Sequence, residues 1–543
     1  MIRILFISFL LISNASGSID STENNNSIIN LNQDSTTAES GELKITKEIF
    51  NRYSYRFFYY EDLELSNRSN TENFYKNEIL NLKILYGSEL SYFNNSDLKN
   101  SNNKNIYTSR ESEDNFYFFL HYLILSPELI ANNKIKIKLS TILKKYSGND
   151  KNIQPNHQKK NLPTLYNFSE LYLLYKFVDK DTIKGNLILG RYFFSPDDQN
   201  LFFPKKNDGI LFLLDFHQNG FITLYLLNVM KQSMNPSLAP EYIKNDLESE
   251  ENKIYANGDA TRFASGFQYK INKSYNIKNS KFQIEMKPGF IFTHMGGAGN
   301  GSDRSQQGNT GSRTDNDYYT LTILDNKIVF NPATIYLNIA MSRGIDRKLP
   351  EFQGHSKDKL INGHAFKSGF NFLLVPLNTH FSLQSETSFF YSNHGNIFNY
   401  GFTSLEKINS GGFLLSQCWN YSPSPYLTGD NIENRREYRN HSSGTMILHN
   451  NLSFFLKPGI LINIENWHLW NSPENSNYAD IKNNFYKINK KQYFGSEFNL
   501  SFFIISPNKL TLYQAWGIFL PDKNIMFHKD PLYGFTAGAI FNY

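Results

Sequence analysis

Short segments in which apolar and polar residues alternate recur from Ile45 to the end of the chain, divided by polar, turn-rich stretches. In Arg52–Tyr59, Tyr53, Tyr55, Phe57 and Tyr59 share one parity, and Arg52, Ser54 and Arg56 the other. In Lys134–Leu143, Ile135, Ile137, Leu139 and Leu143 oppose Lys134, Lys136, Lys138 and Ser140. Phe282, Ile284, Met286, Phe290 and Phe292 oppose Gln283, Glu285 and Lys287. Phe366, Phe370, Phe372 and Leu374 oppose Lys367, Gly369 and Asn371, and Phe398, Tyr400 and Phe402 oppose Asn399, Gly401 and Thr403. Towards the end, Ile460, Ile462 and Ile464 oppose Asn463 and Glu465, while Phe498, Leu500, Phe502 and Ile504 oppose Glu497, Asn499 and Ser501. A period of two puts each set on opposite faces of a strand, whereas a helix would scatter the charges around its girth. The pattern predicts an all-β chain.

Alternation alone leaves a soluble sandwich and a membrane barrel open, since either buries one face of each strand. Composition moves the balance. Aromatic residues make up 15% of the 543 residues, with 46 Phe and 34 Tyr, yet mean hydropathy is -0.47. A barrel with lipid outside and water inside carries both features together, while a disordered chain is poor in aromatics. Beyond the first residues no uninterrupted apolar stretch is long enough to cross a bilayer as a helix, so membrane insertion would need a closed barrel.

The chain opens with Arg3, an apolar run Ile4–Ile12 and small residues at Ala15-Ser16-Gly17, which reads as a secretory signal over Met1–Gly17. Ser18–Lys44 is rich in Asn, Ser, Thr and acidic residues and reads as a flexible periplasmic leader. The barrel is expected over Ile45–Tyr543. The long polar segments Asn94–Asp114, Ser147–Asn161, Lys231–Asn257, Thr293–Asp317 and Ser422–Ser443 read as loops on one rim, with short turns on the other. The barrel length then predicts roughly 16 to 20 strands.

Charge and chemistry narrow the role. The net charge of +5 gives no broad basic face for nucleic acid, and the single cysteine, Cys418, excludes an internal disulfide. The 12 histidines show no metal-ligand spacing, and no G-x-S-x-G elbow is present. The glycine run Gly296–Gly301 lacks the following Lys-Ser or Lys-Thr of a phosphate loop. No cofactor, metal or catalytic centre is expected. If the apolar faces meet lipid, Arg52, Arg56, Lys134, Lys136 and Lys138 point into the lumen, beside Glu285, Glu386, Glu465 and Glu497. Charges turned outward would cost roughly 2–4 kcal/mol each at the bilayer midplane. A wet, charge-balanced lumen and a cationic track for an anionic solute both fit this set.

The last residues place Tyr533, Phe535, Ala537, Ala539, Phe541 and Tyr543 on one parity, ending on an aromatic. This resembles the closing-strand signal of bacterial outer-membrane barrels, which the barrel-assembly machinery reads; Tyr533, Phe535, Phe541 and Tyr543 carry the likeness. Further motifs are Leu189-Gly190-Arg191-Tyr192, then Ser195-Pro196-Asp197-Asp198-Gln199, then Asn207-Asp208-Gly209-Ile210. With Thr428-Gly429-Asp430 after Tyr426 and Trp516–Pro521 near the end, they resemble the alginate-export family of outer-membrane barrels. Tyr192 stands where that family has Gln. The resemblance implies about eighteen strands in a single chain and an arginine-lined pore, to which Arg191 would belong. The expected role is passive passage of hydrophilic solutes through the outer membrane of a Gram-negative-type bacterium, with an anionic polysaccharide or oligosaccharide as the specific cargo. A general porin, a plugged barrel that binds through its surface loops, and a barrel enzyme are the alternatives.

Overall fold

The computed structural model describes residues 75–76, 79–94, 115–148, 168–180, 182–194, 206–216, 220–229, 261–277, 280–296, 317–330, 332–346, 359–375, 381–393, 401–402, 445–456, 459–471, 492–505, 510–522 and 531–542. The elements among them are all strands. The first are β1 (Tyr75–Lys76), β2 (Leu80–Asn94), β3 (Asn115–Ile130), β4 (Ile135–Gly148), β5 (Phe168–Lys180) and β6 (Ile183–Phe193). Next come β7 (Lys206–Asp215), β8 (Phe221–Val229), β9 (Thr261–Ile277), β10 (Ser280–Gly296), β11 (Asp317–Phe330) and β12 (Ala333–Asp346). The last are β13 (Lys359–Val375), β14 (Phe381–Ser392), β15 (Thr445–Leu456), β16 (Ile460–Asn471), β17 (Gln492–Ile505), β18 (Leu510–Pro521) and β19 (Leu532–Asn542).

Each strand from β2 to β19 pairs antiparallel with its sequence neighbour, and β19 pairs with β2. The result is a closed barrel of eighteen antiparallel strands. Closure runs from Tyr533 opposite Asn94 to Asn542 opposite Leu85. The short β1 pairs with Leu82 and Asn81, on the edge of β2 that β19 does not reach.

The parity read from the sequence matches the walls. On β9, Phe267 is 50% exposed and its neighbour Gln268 only 3%; on β16, Ile464 is 47% exposed between the buried Asn463 and Glu465. In a closed ring the exposed apolar set faces out and the polar set faces in. Large apolar side chains exposed all round a ring, over a polar interior, are the pattern of a membrane-spanning barrel.

Connections follow the barrel asymmetry. Ala131–Lys134 joins β3 to β4, and 181–182, 278–279 and 331–332 are two-residue links on the same rim. In the first of these, Asn132 Oδ1 accepts from the backbone of Lys134 and Ile135 at 2.8 Å each, fixing the turn locally. The other rim carries the long connections 95–114, 149–167, 230–260, 297–316 and 393–444. The expected loops fall there, outside the described residues except at their strand ends.

The strand expected over Arg52–Tyr59 lies outside the described residues, and one other strand expectation changes. The expected strand Phe398–Thr403 is not one at Gly401 and Phe402, the two residues described. Gly401 has φ 71°, Phe402 N donates to Asn393 O at 3.2 Å, and Phe402 is fully buried. Its backbone passes so close to Gly363 that a Cβ there would meet it at 2.1 Å. At Phe402 the backbone lies against the β13–β14 end, and burial of its ring takes the place of a ladder.

Candidate functional site

Inward parity brings the polar side chains of neighbouring strands into rows across the inner wall, with strands about 4.8 Å apart. Two stretches of wall differ in how their charges are met.

The first runs over β3 to β10. Lys136 Nζ lies 3.1 Å from Glu128 Oε1 and Lys138 Nζ 3.0 Å from Glu170 Oε2. Glu285 Oε1 holds two cations, Lys270 Nζ at 2.8 Å and Lys287 Nζ at 3.3 Å. Both ammonium groups also stand over the Phe221 ring of β8, at 5.8 and 5.9 Å from its centroid. Lys–Glu pairs made diagonally across neighbouring strands are what the alternation Lys136-Ile137-Lys138 permits, because both ammonium groups leave the strand on one face.

The second runs over β14 to β17. These four strands, and β18 and β19 after them, contain three glutamates and no lysine or arginine. One row aligns Glu386, Asn451, Glu465 and Asn499. The next row, towards the long-connection rim, aligns Ser388, His449, Trp467 and Glu497. All eight are buried. The Tyr336 hydroxyl donates to Glu386 Oε1 at 2.7 Å, and His449 Nε2 stands 3.8 Å from Glu465 Oε1. The His449 and Trp467 rings stack with centroids 3.8 Å apart. Below them Asn463 Nδ2 donates to Ser501 Oγ at 3.4 Å.

Where the ring closes, a buried network joins three strands. The Tyr513 hydroxyl donates to Glu89 Oε2, Ser91 Oγ donates to Glu89 Oε1 at 3.0 Å, and Ser91 and Thr536 share a hydroxyl contact of 2.7 Å. Tyr513 crosses β19 to reach Glu89 because Gly538 lies directly opposite it; a Cβ there would meet the ring at 2.4 Å. Tyr336 uses Gly369 in the same way to reach Glu386 across β13, with a Cβ meeting its ring at 2.2 Å. An aromatic laid over a strand glycine fills the missing side chain and lends the hydroxyl two strands' reach.

The sequence-derived candidates are distributed as follows. Lys136, Lys138, Glu285, Glu386, Glu465 and Glu497 project from the inner wall. Lys134 lies in the short turn before β4 and is exposed. Arg191 stands opposite Leu171 and Asp208, on the register that carries the exposed Leu171 and Leu189. Asp208 holds its guanidinium by two bonds, Nε to Oδ1 at 2.7 Å and Nη2 to Oδ2 at 2.9 Å. Tyr533 is exposed on the outer face of β19, and Phe535 shares its parity, tilted against Trp516 at 5.6 Å. Phe541, on that parity too, meets Tyr86 of β2 at 6.3 Å. Arg52, Arg56 and Tyr543 lie outside the described residues. Glu89, Glu170, Lys270, Tyr336 and Tyr513 were missed. Glu89 and Lys270 could have been found by extending the alternation count to Leu80–Tyr92 and Phe267–Ile271. Among the described residues no group of three or more His, Cys, Asp or Glu is arranged to hold a metal ion.

No protein-family model and no curated protein sequence matches the chain. Solved structures similar to it are outer-membrane proteins. OprD from Pseudomonas aeruginosa is 10% identical with a TM-score of 0.42, covering 88% of this chain and 96% of its own. OccAB2 from Acinetobacter baumannii is 8% identical with a TM-score of 0.43, covering 85% and 98%. Wzi from Escherichia coli, described as a carbohydrate-binding β-barrel involved in group 1 capsule assembly, is 10% identical with a TM-score of 0.41, covering 92% and 98%. Such scores describe a loose likeness, and the barrel is established by this chain's own strand pairing.

Proposed function

We propose that the chain spans the outer membrane of a Gram-negative-type bacterium as a passive channel for hydrophilic solutes. The observation that carries this is the ring itself: eighteen strands closed on each other, apolar outside, with Lys, Glu, Asn and Ser rows inside. A ring of that strand number encloses more width than its own side chains need. Charged and amide groups along the wall replace part of a solute's hydration as it passes. The outward aromatics Tyr533 and Phe535 suit both the lipid boundary and recognition of the last strand by the barrel-assembly machinery.

An anionic polysaccharide or oligosaccharide remains the narrower reading, favoured by the basic stretch Lys136, Lys138, Lys270 and Lys287. Each of these lysines stands within 3.3 Å of a carboxylate, so an anion must compete for it. The arrangement therefore gives more support to solutes of small size and mixed charge than to a long polyanion. Planar-bilayer recording of the refolded full chain in a salt gradient tests the reading. Stable conductance is expected; a folded barrel that never conducts would overturn it. Block by a polyuronate at low concentration would restore the polyanion as cargo.

A further inference from the structure

Six consecutive strands without a lysine or arginine, holding three inward glutamates on adjacent rows, form an uneven place in an otherwise mixed-charge wall. Acidic residues gathered on a wall are no site by themselves. Here a second feature points to a ligand. Asn499 is 4% exposed and neither its Oδ1 nor its Nδ2 has a hydrogen-bond partner. It lies directly opposite Glu465 and two residues from Glu497 on the same face. Trp467, 8% exposed and opposite Glu497, likewise has its indole N–H unmet. A buried amide left unmet costs about 1–3 kcal/mol, and a bound group that donates to it or accepts from it recovers that cost.

We propose that the inner wall of β14–β17 is a binding site for an organic dication, a solute carrying two N–H-rich cationic heads. One head, a guanidinium or ammonium, sits between Glu465 and Glu497 and donates to both carboxylates and to Asn499 Oδ1. Glu386, two strands from Glu465 in the same row, lies about 10 Å away at ordinary strand spacing and takes the second head. A planar guanidinium also suits the bidentate geometry of carboxylates. Anions are disfavoured, since the only inward lysine beside these rows, among the described residues of β13 to β17, is Lys367. That ammonium stands 5.7 Å from the Tyr336 ring centroid.

The site rests on the channel reading only for its biological use, so binding and passage are measured apart. Isothermal titration of agmatine, which has one guanidinium and one ammonium, into the detergent-solubilised full chain reads binding without conductance. Saturable binding is expected, weakened about tenfold or more in Glu465→Gln and in Glu497→Gln, the loss of one charge-assisted hydrogen bond. Glucose and glucuronate should not bind at the same concentration. The isosteric changes keep the fold, checked by circular dichroism melting, and Asn499→Leu gives an independent weakening. Agmatine binding unchanged in both Gln variants would overturn the site, as would glucuronate binding in its place or no agmatine binding by a protein that conducts. Binding by a protein that does not conduct would overturn the channel and leave the site standing.

Discussion

The two stretches of inner wall solve one problem differently. Over β3 to β10, buried carboxylates are met by buried ammonium groups, as at Glu285 between Lys270 and Lys287. Over β14 to β17, Glu386 is met by the Tyr336 hydroxyl and Glu465 faces His449 at 3.8 Å, and those four strands hold no lysine or arginine to pair with their carboxylates. The first arrangement fixes the wall and presents little net field to a solute; removing one partner strands the other. The second has no ammonium group on its own strands to leave unpaired when one carboxylate is replaced, and in the proposed site its charge is met by a solute. Ion pairing thus serves the frame in one place, and its absence serves recognition in the other.

The largest effect expected from this contrast is at Glu285. Glu285→Gln leaves two buried ammonium groups facing each other, with Lys287 side-chain exposure only 3%. Stability should fall by about 3–5 kcal/mol, the cost of breaking a buried pair from one side, read by urea unfolding in micelles. Tyr336→Phe, which withdraws a neutral donor from Glu386, should cost about 1–3 kcal/mol in the same titration; equal losses at the two positions would erase the distinction. Glu465→Gln should change stability by about 1 kcal/mol or less while shifting the reversal potential towards anions. Lys138→Gln should shift it the other way, and shifts of one sign from both would dissolve the contrast. Least of all, Lys176→Ala should lie within about 0.5 kcal/mol of the parent, because its pair with Asp179 is long, at 3.9 Å, with Lys176 half-buried and Asp179 exposed.

Which face each residue takes was legible from alternation alone in β4, β10, β13, β16 and β17, because a period of two leaves a strand only two sides. Which residue meets which was not. Tyr513 and Glu89 are 424 residues apart and Tyr336 and Glu386 are 50 apart; nothing local in either segment announces the partner. The short turns fix the register of each hairpin, but joining hairpins across connections as long as 393–444 depends on the whole ring. Arg191 shows another limit. Its motif carried a family expectation, yet its neighbour across the ladder is Asp208, and that bidentate pair is a property of register. Phe402 shows a third: an aromatic in alternating sequence can follow a backbone that turns at Gly401 and be buried instead of extending a strand.

The hydroxyl contact between Ser91 and Thr536 joins residues 445 positions apart. A structure whose first long strand can be finished only by its last has its completion test written into its topology. A chain stopped after β18 would display two bare ladder edges, on β2 and β18, and such edges recruit other chains. Its folding must also wait on contacts of the greatest sequence separation, which are the slowest to form. The seam therefore sorts chains that reach β19 from chains that stop before it, at a single junction.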